Sequence, residues 1–165
     1  MLIVAAGLIN LALCLVYLLF YTNPFYVINH EATQLAVHIA GGFGFVGSGG
    51  LNLKLGASAI IQPAYPFILA IFILLCKVPK AFLAMRIFQI GLNLCLGLLV
   101  YLTAREVFGK RAAAFSALIF AFYFPFIHFT TIIWDTLLFS LIVSAAIYVS
   151  LLNKENTLWR SALIG

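Results

Sequence analysis

Long uninterrupted apolar runs constrain this chain more than any other feature of its sequence. Four runs come close to or reach the roughly 17 to 25 residues that a helix needs to cross a bilayer, and they cover residues 2–21, 82–104, 112–127 and 131–152. The third is the shortest, and Pro125 is predicted to end it. The chain is 65% hydrophobic and 8% charged, whereas a soluble domain carries about 25% charged residues. We therefore predict an all-α integral membrane protein.

A fifth apolar run, residues 63–76, decides the predicted topology. Its 14 residues are too few for a crossing, so they predict a re-entrant or interfacial helix. Four crossings then place the basic segment 105–111 and the basic carboxyl-terminal tail on one side, which the positive-inside rule makes cytoplasmic. Counting 63–76 as a fifth crossing would turn five basic residues outward. Both termini are therefore predicted to lie inside.

This topology predicts one membrane domain with a long first outer loop. The domain consists of a first transmembrane helix at 1–21, an outer loop with two interfacial or re-entrant helices at 22–81, and the remaining transmembrane helices at 82–165. A loop of about sixty residues is usually functional. Its first helix is predicted over 29–39, where His30, Gln34 and His38 form a polar stripe at i, i+4 and i+8.

Acidic residues near the membrane are the first candidate site residues, because charges at membrane depth are costly and tend to mark function. Glu31 in the outer loop and Asp135 in the turn between the third and fourth crossings are the two acids outside the predicted cytoplasmic segments. Each carboxylate can act as a general base or a metal ligand. The alternative is an interfacial acid at a helix start, where the helix dipole favours it.

Cationic and imidazole side chains complete the candidate set as substrate-binding residues. Arg86, Lys77 and Lys80 lie near the outer end of the second crossing. There the arginine can hold a phosphate with a bidentate fork, and the lysines add point charges. Ordinary snorkelling to the interface is the alternative. His30 and His38 can contribute to the same site from the outer loop, or can simply bind water at the interface.

The sequence also excludes several function classes. The basic residues are scattered singly between apolar runs, which argues against nucleic acid as a partner. The three cysteines give neither a disulfide framework nor a metal-ligand spacing. Residues 30–34 nearly match the zinc-protease motif HExxH, but Gln34 stands where the second histidine ligand is required.

Several short motifs follow one another along the chain, and their order allows a comparison with known protein families. An acidic helix precedes Gly-Gly-Phe-Gly-Phe at 41–45, and Gln-Pro-Ala-Tyr-Pro-Phe follows at 62–67. Met85-Arg86 then opens a helix that ends in Tyr-Leu-Thr-Ala-Arg-Glu-Val-Phe-Gly-Lys-Arg at 101–111. This order resembles the start of the GT-C glycosyltransferases that use polyprenyl-phosphate sugars. The likeness extends from about residue 11 to residue 165.

The resemblance implies an enzyme that moves a sugar from an undecaprenyl- or dolichyl-phosphate carrier to an acceptor on the outer or lumenal face. The family's acids would fall at Glu31 and Asp135, which would deprotonate the acceptor or hold a divalent cation. Its arginine near the lipid phosphate would fall at Arg86. Membrane lipid, the polyprenyl-phosphate sugar and other membrane subunits are the implied partners. The implied location is the bacterial inner membrane, with the endoplasmic reticulum as the alternative.

Two departures from the family favour a second function class. The family commonly carries an aspartate where this chain reads Asn29-His30-Glu31. Complete members also have many more crossings, and the apolar residues at 159–165 resemble the start of a further helix. A non-catalytic, GT-C-like structural subunit of a larger membrane complex therefore remains an alternative to the enzyme.

Cysteine labelling tests the predicted topology. In a cysteine-free background, Lys54→Cys is expected to react with a membrane-impermeant reagent from the outside, and Lys110→Cys from the cytoplasmic side. Labelling of position 54 only from the cytoplasm would contradict the four-crossing arrangement.

Overall fold

The computed structural model describes residues 2–21, 31–47, 56–57 and 62–152. In chain order these residues form helix α1 at Leu2–Tyr21, α2 at Glu31–Ala40, strand β1 at Val46–Gly47, β2 at Gly56–Ala57, α3 at Ala64–Cys76, α4 at Val78–Phe108, α5 at Lys110–Ala121, α6 at Phe124–Phe129 and α7 at Thr136–Leu152. The predicted helical class is confirmed. The short antiparallel pair of β1 and β2 was not predicted.

Two helices are long and apolar enough to cross a membrane, Leu2–Phe20 within α1 and Lys80–Phe108 within α4. At about 1.5 Å per residue, the 31 residues of α4 rise about 46 Å, which exceeds a hydrocarbon core of about 30 Å. Helix α4 therefore has length to spare beyond the apolar layer. It also begins at Val78 and not at the predicted residue 82.

Two further apolar helices are shorter. Helix α3 has 13 residues and α7 has 17, so that α3 rises only about 20 Å. The helix predicted over residues 63–76 is thus present, and so is the outer-loop helix predicted over 29–39, which the structure describes from Glu31. That α3 dips into the membrane without crossing, and that the crossings number four, both remain predictions.

The third apolar run does not form the single helix that the sequence predicted. Helix α5 ends at Ala121, and α6 begins at Phe124 after a two-residue break. Pro125 lies in the first turn of α6, where a missing amide hydrogen costs little because that N–H has no helical partner. The prediction that Pro125 ends the run is therefore wrong, because Pro125 helps to start a new helix.

Helices α2, α3 and α4 share one buried core. Its buried members are Ala32, Ala36, Tyr65, Leu69, Ala70, Ile73, Ala81, Met85 and Ile133. Lys77 is the single residue between α3 and α4, and its φ of 63° reverses the chain direction. Helix α3 consequently folds back along α4, and the ring centroids of Phe72 and Phe88 lie 5.8 Å apart. The core thereby fixes α2 and α3 against the first turns of α4.

Small residues bring α1, α4 and α5 close together. Ala6 packs against Ala117 and Ala121, and Gly97 faces the Phe120 ring. A Cβ atom at Gly97 would lie 2.9 Å from two carbons of that ring. Glycine is therefore required for this approach of α4 to α5, as at other close helix contacts in membranes.

Replacement of Gly97 by alanine is expected to destabilise the fold. The new methyl group must displace Phe120, which costs about 1–3 kcal/mol in a packed site and outweighs a gain of about 1 kcal/mol in helix propensity. Gly91 is the matched control, because it lies on the same helix with nothing within 4 Å of an added Cβ. Thermal unfolding in detergent should show a lower midpoint for Gly97→Ala and an unchanged or higher midpoint for Gly91→Ala. Equal midpoints would contradict the close α4–α5 contact.

Candidate functional site

Three polar side chains lie on one face of the otherwise apolar helix α4. Arg86, Gln89 and Asn93 occur at i, i+3 and i+7, a spacing that places them on one helix face. Arg86 is 9% exposed, and both amides are 0% exposed. Polar groups buried at such a depth are costly unless they find partners. We refer to these three residues as the polar face of α4.

The first two residues of the polar face hold the connection between α6 and α7. Arg86 Nε donates a hydrogen bond of 3.0 Å to the carbonyl oxygen of Thr131. Gln89 Nε2 lies within hydrogen-bond distance of the carbonyl oxygens of Phe129 (3.3 Å), Ile132 (2.8 Å) and Trp134 (3.2 Å). Backbone carbonyls that no helix satisfies must be paired in some other way when buried. Two side chains of α4 therefore donate the hydrogen bonds that backbone amides would donate to these carbonyls inside a helix.

The third residue of the polar face connects α4 to α1 and α5. Asn93 Nδ2 donates to Asn10 Oδ1 at 2.9 Å, and Asn10 Nδ2 donates to the Ala121 carbonyl oxygen at 3.1 Å. Ala121 is the last residue of α5, where carbonyls lose their helical partners. Two amides in series thus stabilise the point at which α5 breaks.

Helix α6 is held by a side chain of α1 and by two hydroxyl groups at its own carboxyl end. The Tyr17 hydroxyl of α1 lies 2.7 Å from Nδ1 of His128. At the carboxyl end of α6, the Thr130 hydroxyl donates to the Ile127 carbonyl oxygen at 2.7 Å, and the Thr131 hydroxyl donates to that of His128 at 2.9 Å. The short helix is therefore fixed in place although it has only six residues.

Arg86, the predicted phosphate ligand, is buried and only partly engaged. Its Nε atom is used by the Thr131 carbonyl, and no carboxylate in the described part of the chain pairs with it. Its terminal nitrogens can still bind an anion.

Asp135 lies at the start of α7, beside the core that α3 contributes. It is half-buried, and its carbonyl oxygen accepts the Phe139 amide at 2.9 Å as α7 begins. Burial raises the pKa of the Tyr65 hydroxyl on α3, and the negative charge of Asp135 raises it further. The carboxylate is thus within electrostatic range of Tyr65. Its place at a helix start also agrees with the alternative role, that of an acid favoured by the helix dipole.

Glu31 and His38 belong to α2, where His38 has a structural partner. Glu31 is half-buried in the first turn of the helix. His38 Nδ1 donates to the Val46 carbonyl oxygen, and its ring contacts that of Phe43 at a centroid distance of 6.3 Å. His38 therefore attaches β1 to α2. His30 lies outside the described residues.

The two candidate lysines are exposed, and the predicted cation has no described ligand set. Lys77 and Lys80 lie at the junction of α3 and α4 with their side chains at the surface. Within the described ranges, no group of three His, Cys, Asp or Glu side chains is placed to hold a metal ion.

Four residues of this region were not predicted from the sequence, namely Gln89, Asn93, Asn10 and Tyr65. The regular spacing of Arg86, Gln89 and Asn93 within an apolar helix was a usable signal, because polar residues inside a crossing are costly and face protein or a cavity. The residues to which these side chains bond could not be found from a local sequence pattern, because they lie far away in the chain. Asn10 and Ala121, for example, are 111 positions apart.

The fold and the site together define a helical membrane protein with a buried cationic and amide-rich face beside an acid at a helix start. A family model described as dolichyl-phosphate-mannose-protein mannosyltransferase matches residues 61–164. The chain belongs to this family of GT-C-like membrane glycosyltransferases, which confirms the resemblance found in its motifs. The match includes Lys77, Lys80, Arg86 and Asp135, and it begins after Glu31. No curated protein and no solved structure matches the chain.

The Asn10–Asn93 pair is expected to couple α1 to α4 energetically. Either Asn10→Leu or Asn93→Leu leaves buried polar groups without a partner, at about 1–3 kcal/mol each. The double variant removes both amides, so its cost should be smaller than the sum of the single costs by about 1 kcal/mol or more. Unfolding in mixed detergent micelles measures the cycle. Strict additivity would contradict the bond between the two side chains.

Proposed function

We propose that this chain provides part of the site of a glycosyltransferase that moves a sugar from a polyprenyl-phosphate carrier to an acceptor on the outer face of the membrane. The observation that carries the proposal is the buried Arg86 guanidinium, which has no carboxylate partner among the described residues. An uncompensated buried charge costs several kcal/mol. A carrier phosphate of the kind named in the family description supplies the missing negative charge.

The geometry of Arg86 suits a leaving phosphate. Because Nε is held by the Thr131 carbonyl oxygen at 3.0 Å, the plane of the guanidinium is fixed. Its two terminal amino groups then form paired hydrogen bonds to phosphate oxygens. Negative charge grows on the phosphate as its bond to the sugar breaks, so this contact stabilises the transition state more than the bound donor.

Asp135 is the proposed general base. Its carboxylate takes the proton of the acceptor hydroxyl while the acceptor oxygen bonds to the anomeric carbon. The bond between that carbon and the carrier oxygen breaks, and the leaving phosphate keeps the electron pair. Asp135 follows directly on the segment that Arg86 and Gln89 hold. Glu31 on α2 is the second candidate base.

The proposed topology places this chemistry in the outer leaflet. We propose that α1, α4, the α5–α6 pair and α7 are the four crossings, and that α3 enters the outer leaflet and returns. Arg86 lies eight residues after Val78, which is about 12 Å along α4. A lipid phosphate just below the membrane surface would reach it. The exposed Lys77 and Lys80 would attract anionic head groups above it.

Reconstitution with a polyprenyl-phosphate-linked sugar tests the function. Asp135→Asn should lower kcat by about 10²–10⁴-fold, the usual contribution of a general base. Glu106→Gln is the matched control, because Glu106 is an exposed acid near the other end of α4. Transfer of radiolabelled sugar to an acceptor measures both variants.

The arginine is tested by binding. Arg86→Lys should weaken binding of a short-chain polyprenyl phosphate about tenfold, since a lysine cannot form the paired bonds. Arg105→Lys, which changes an exposed arginine of the same helix, should bind like the wild type. Wild-type protein that neither transfers sugar nor binds the phosphate would favour the non-catalytic structural subunit.

A further inference from the structure

We propose that Gln89 is a positioning residue, whose side-chain amide holds residues 129–134 so that Asp135 is presented to the acceptor. The proposal rests on the proposed function for the role of Asp135. The placement of the segment follows from hydrogen bonds seen in the structure, chiefly those of Gln89, and does not depend on that function.

The orientation of the Gln89 amide is fixed by its surroundings. Three carbonyl oxygens lie within 3.3 Å of Nε2, and a carbonyl can only accept. A reversed amide would bring Oε1 against the same three acceptors and would lose every bond. The donor end therefore faces the segment, and its two hydrogens are shared among the three carbonyls.

The donor side of these bonds is shielded from bulk water. Gln89 is 0% exposed, and hydrogen bonds in such a low-dielectric environment are stronger than at a surface. Arg86 adds one further bond, to Thr131. The Trp134 carbonyl belongs to the peptide group that enters Asp135, so Gln89 restrains that carboxylate from the amino-terminal side. Helix α7 restrains it from the other side through the Phe139 amide.

The Gln89 amide also lies close to Tyr65. Gln89 Oε1 and the Tyr65 hydroxyl are both buried without a hydrogen bond of ordinary geometry. The Gln89 side chain and the Trp134 backbone nevertheless lower the pKa of Tyr65, against the larger effects of burial and Asp135. Gln89 thus lies between the core on α3 and the segment that leads to Asp135.

Fluorescence of Trp134 tests the positioning directly and without an activity assay. The chain has two tryptophans, so a Trp159→Phe background leaves Trp134 as the only emitter. Gln89→Met has a similar length but no donor. Because Trp134 is already partly exposed, this variant should raise the acrylamide quenching constant by up to about twofold as the freed segment opens locally. The matched control is Asn93→Leu, which removes an equally buried amide of the same face that bonds Asn10, and it should leave quenching unchanged.

A second variant keeps the test decisive if Gln89→Met does not fold. Gln89→Glu has the same shape and, when ionised, only accepts, so it should increase quenching at high pH. Protonation at low pH restores one donor, and quenching should return toward the wild-type value. A buried carboxyl has a raised pKa, so this rescue falls within an accessible pH range. Circular dichroism reports whether each variant is folded.

Kinetics separates this inference from the proposed function. In an active preparation, Gln89→Met should lower kcat about 10–100-fold, because a small displacement of the base is costly. The KM for the carrier should stay within about twofold, because Arg86 is unchanged. The positioning role would be overturned by unchanged quenching in a folded Gln89→Met variant. It would also be overturned if Asn93→Leu raised quenching equally, or if Gln89→Met left kcat unchanged. A wild-type protein without transfer activity would instead overturn the proposed function and leave the quenching result standing.

Discussion

A buried backbone carbonyl has no water to bind, and the chain between Ala121 and Thr136 interrupts its helices twice. Each interruption leaves carbonyls that must be paired by side chains. Asn10 donates a hydrogen bond at the first interruption, at the end of α5. Arg86 and Gln89 donate hydrogen bonds at the second interruption, before α7. The remaining architecture depends on these bonds, because they join α1, α4 and α7 at the points where regular helix stops.

The same requirement explains why a candidate site lies here. Irregular backbone at membrane depth is tolerated where it is buried in protein or lines a cavity. The residues that satisfy it are polar, buried and closely spaced, and Arg86 has terminal nitrogens beyond what the backbone uses. Structural support and the proposed phosphate binding therefore draw on one set of side chains. A substitution of Arg86 is expected to affect both, which is why a matched variant on the same helix is needed.

Sequence reasoning succeeded where a local pattern decides the structure. Apolar length predicted α1, α4 and the short α3, and the order of motifs predicted the family. It failed at α5, because a continuous apolar run carries no sign that the helix stops at Ala121 and that Pro125 starts the next one. It also missed Gln89 as an anchor, since that role depends on carbonyls 40 to 45 positions away. Long-range pairing of this kind leaves no periodicity to detect.

The one-residue link at Lys77 leaves no slack between α3 and α4. With a φ of 63° and aromatic contact between Phe72 and Phe88, the two helices form a hairpin. Neither helix is expected to slide along the other. Because Tyr65 and Met85 belong to the same buried core, a change in the tilt of α4 is expected to move Tyr65 as well. The hairpin thus couples the position of that core to the orientation of α4.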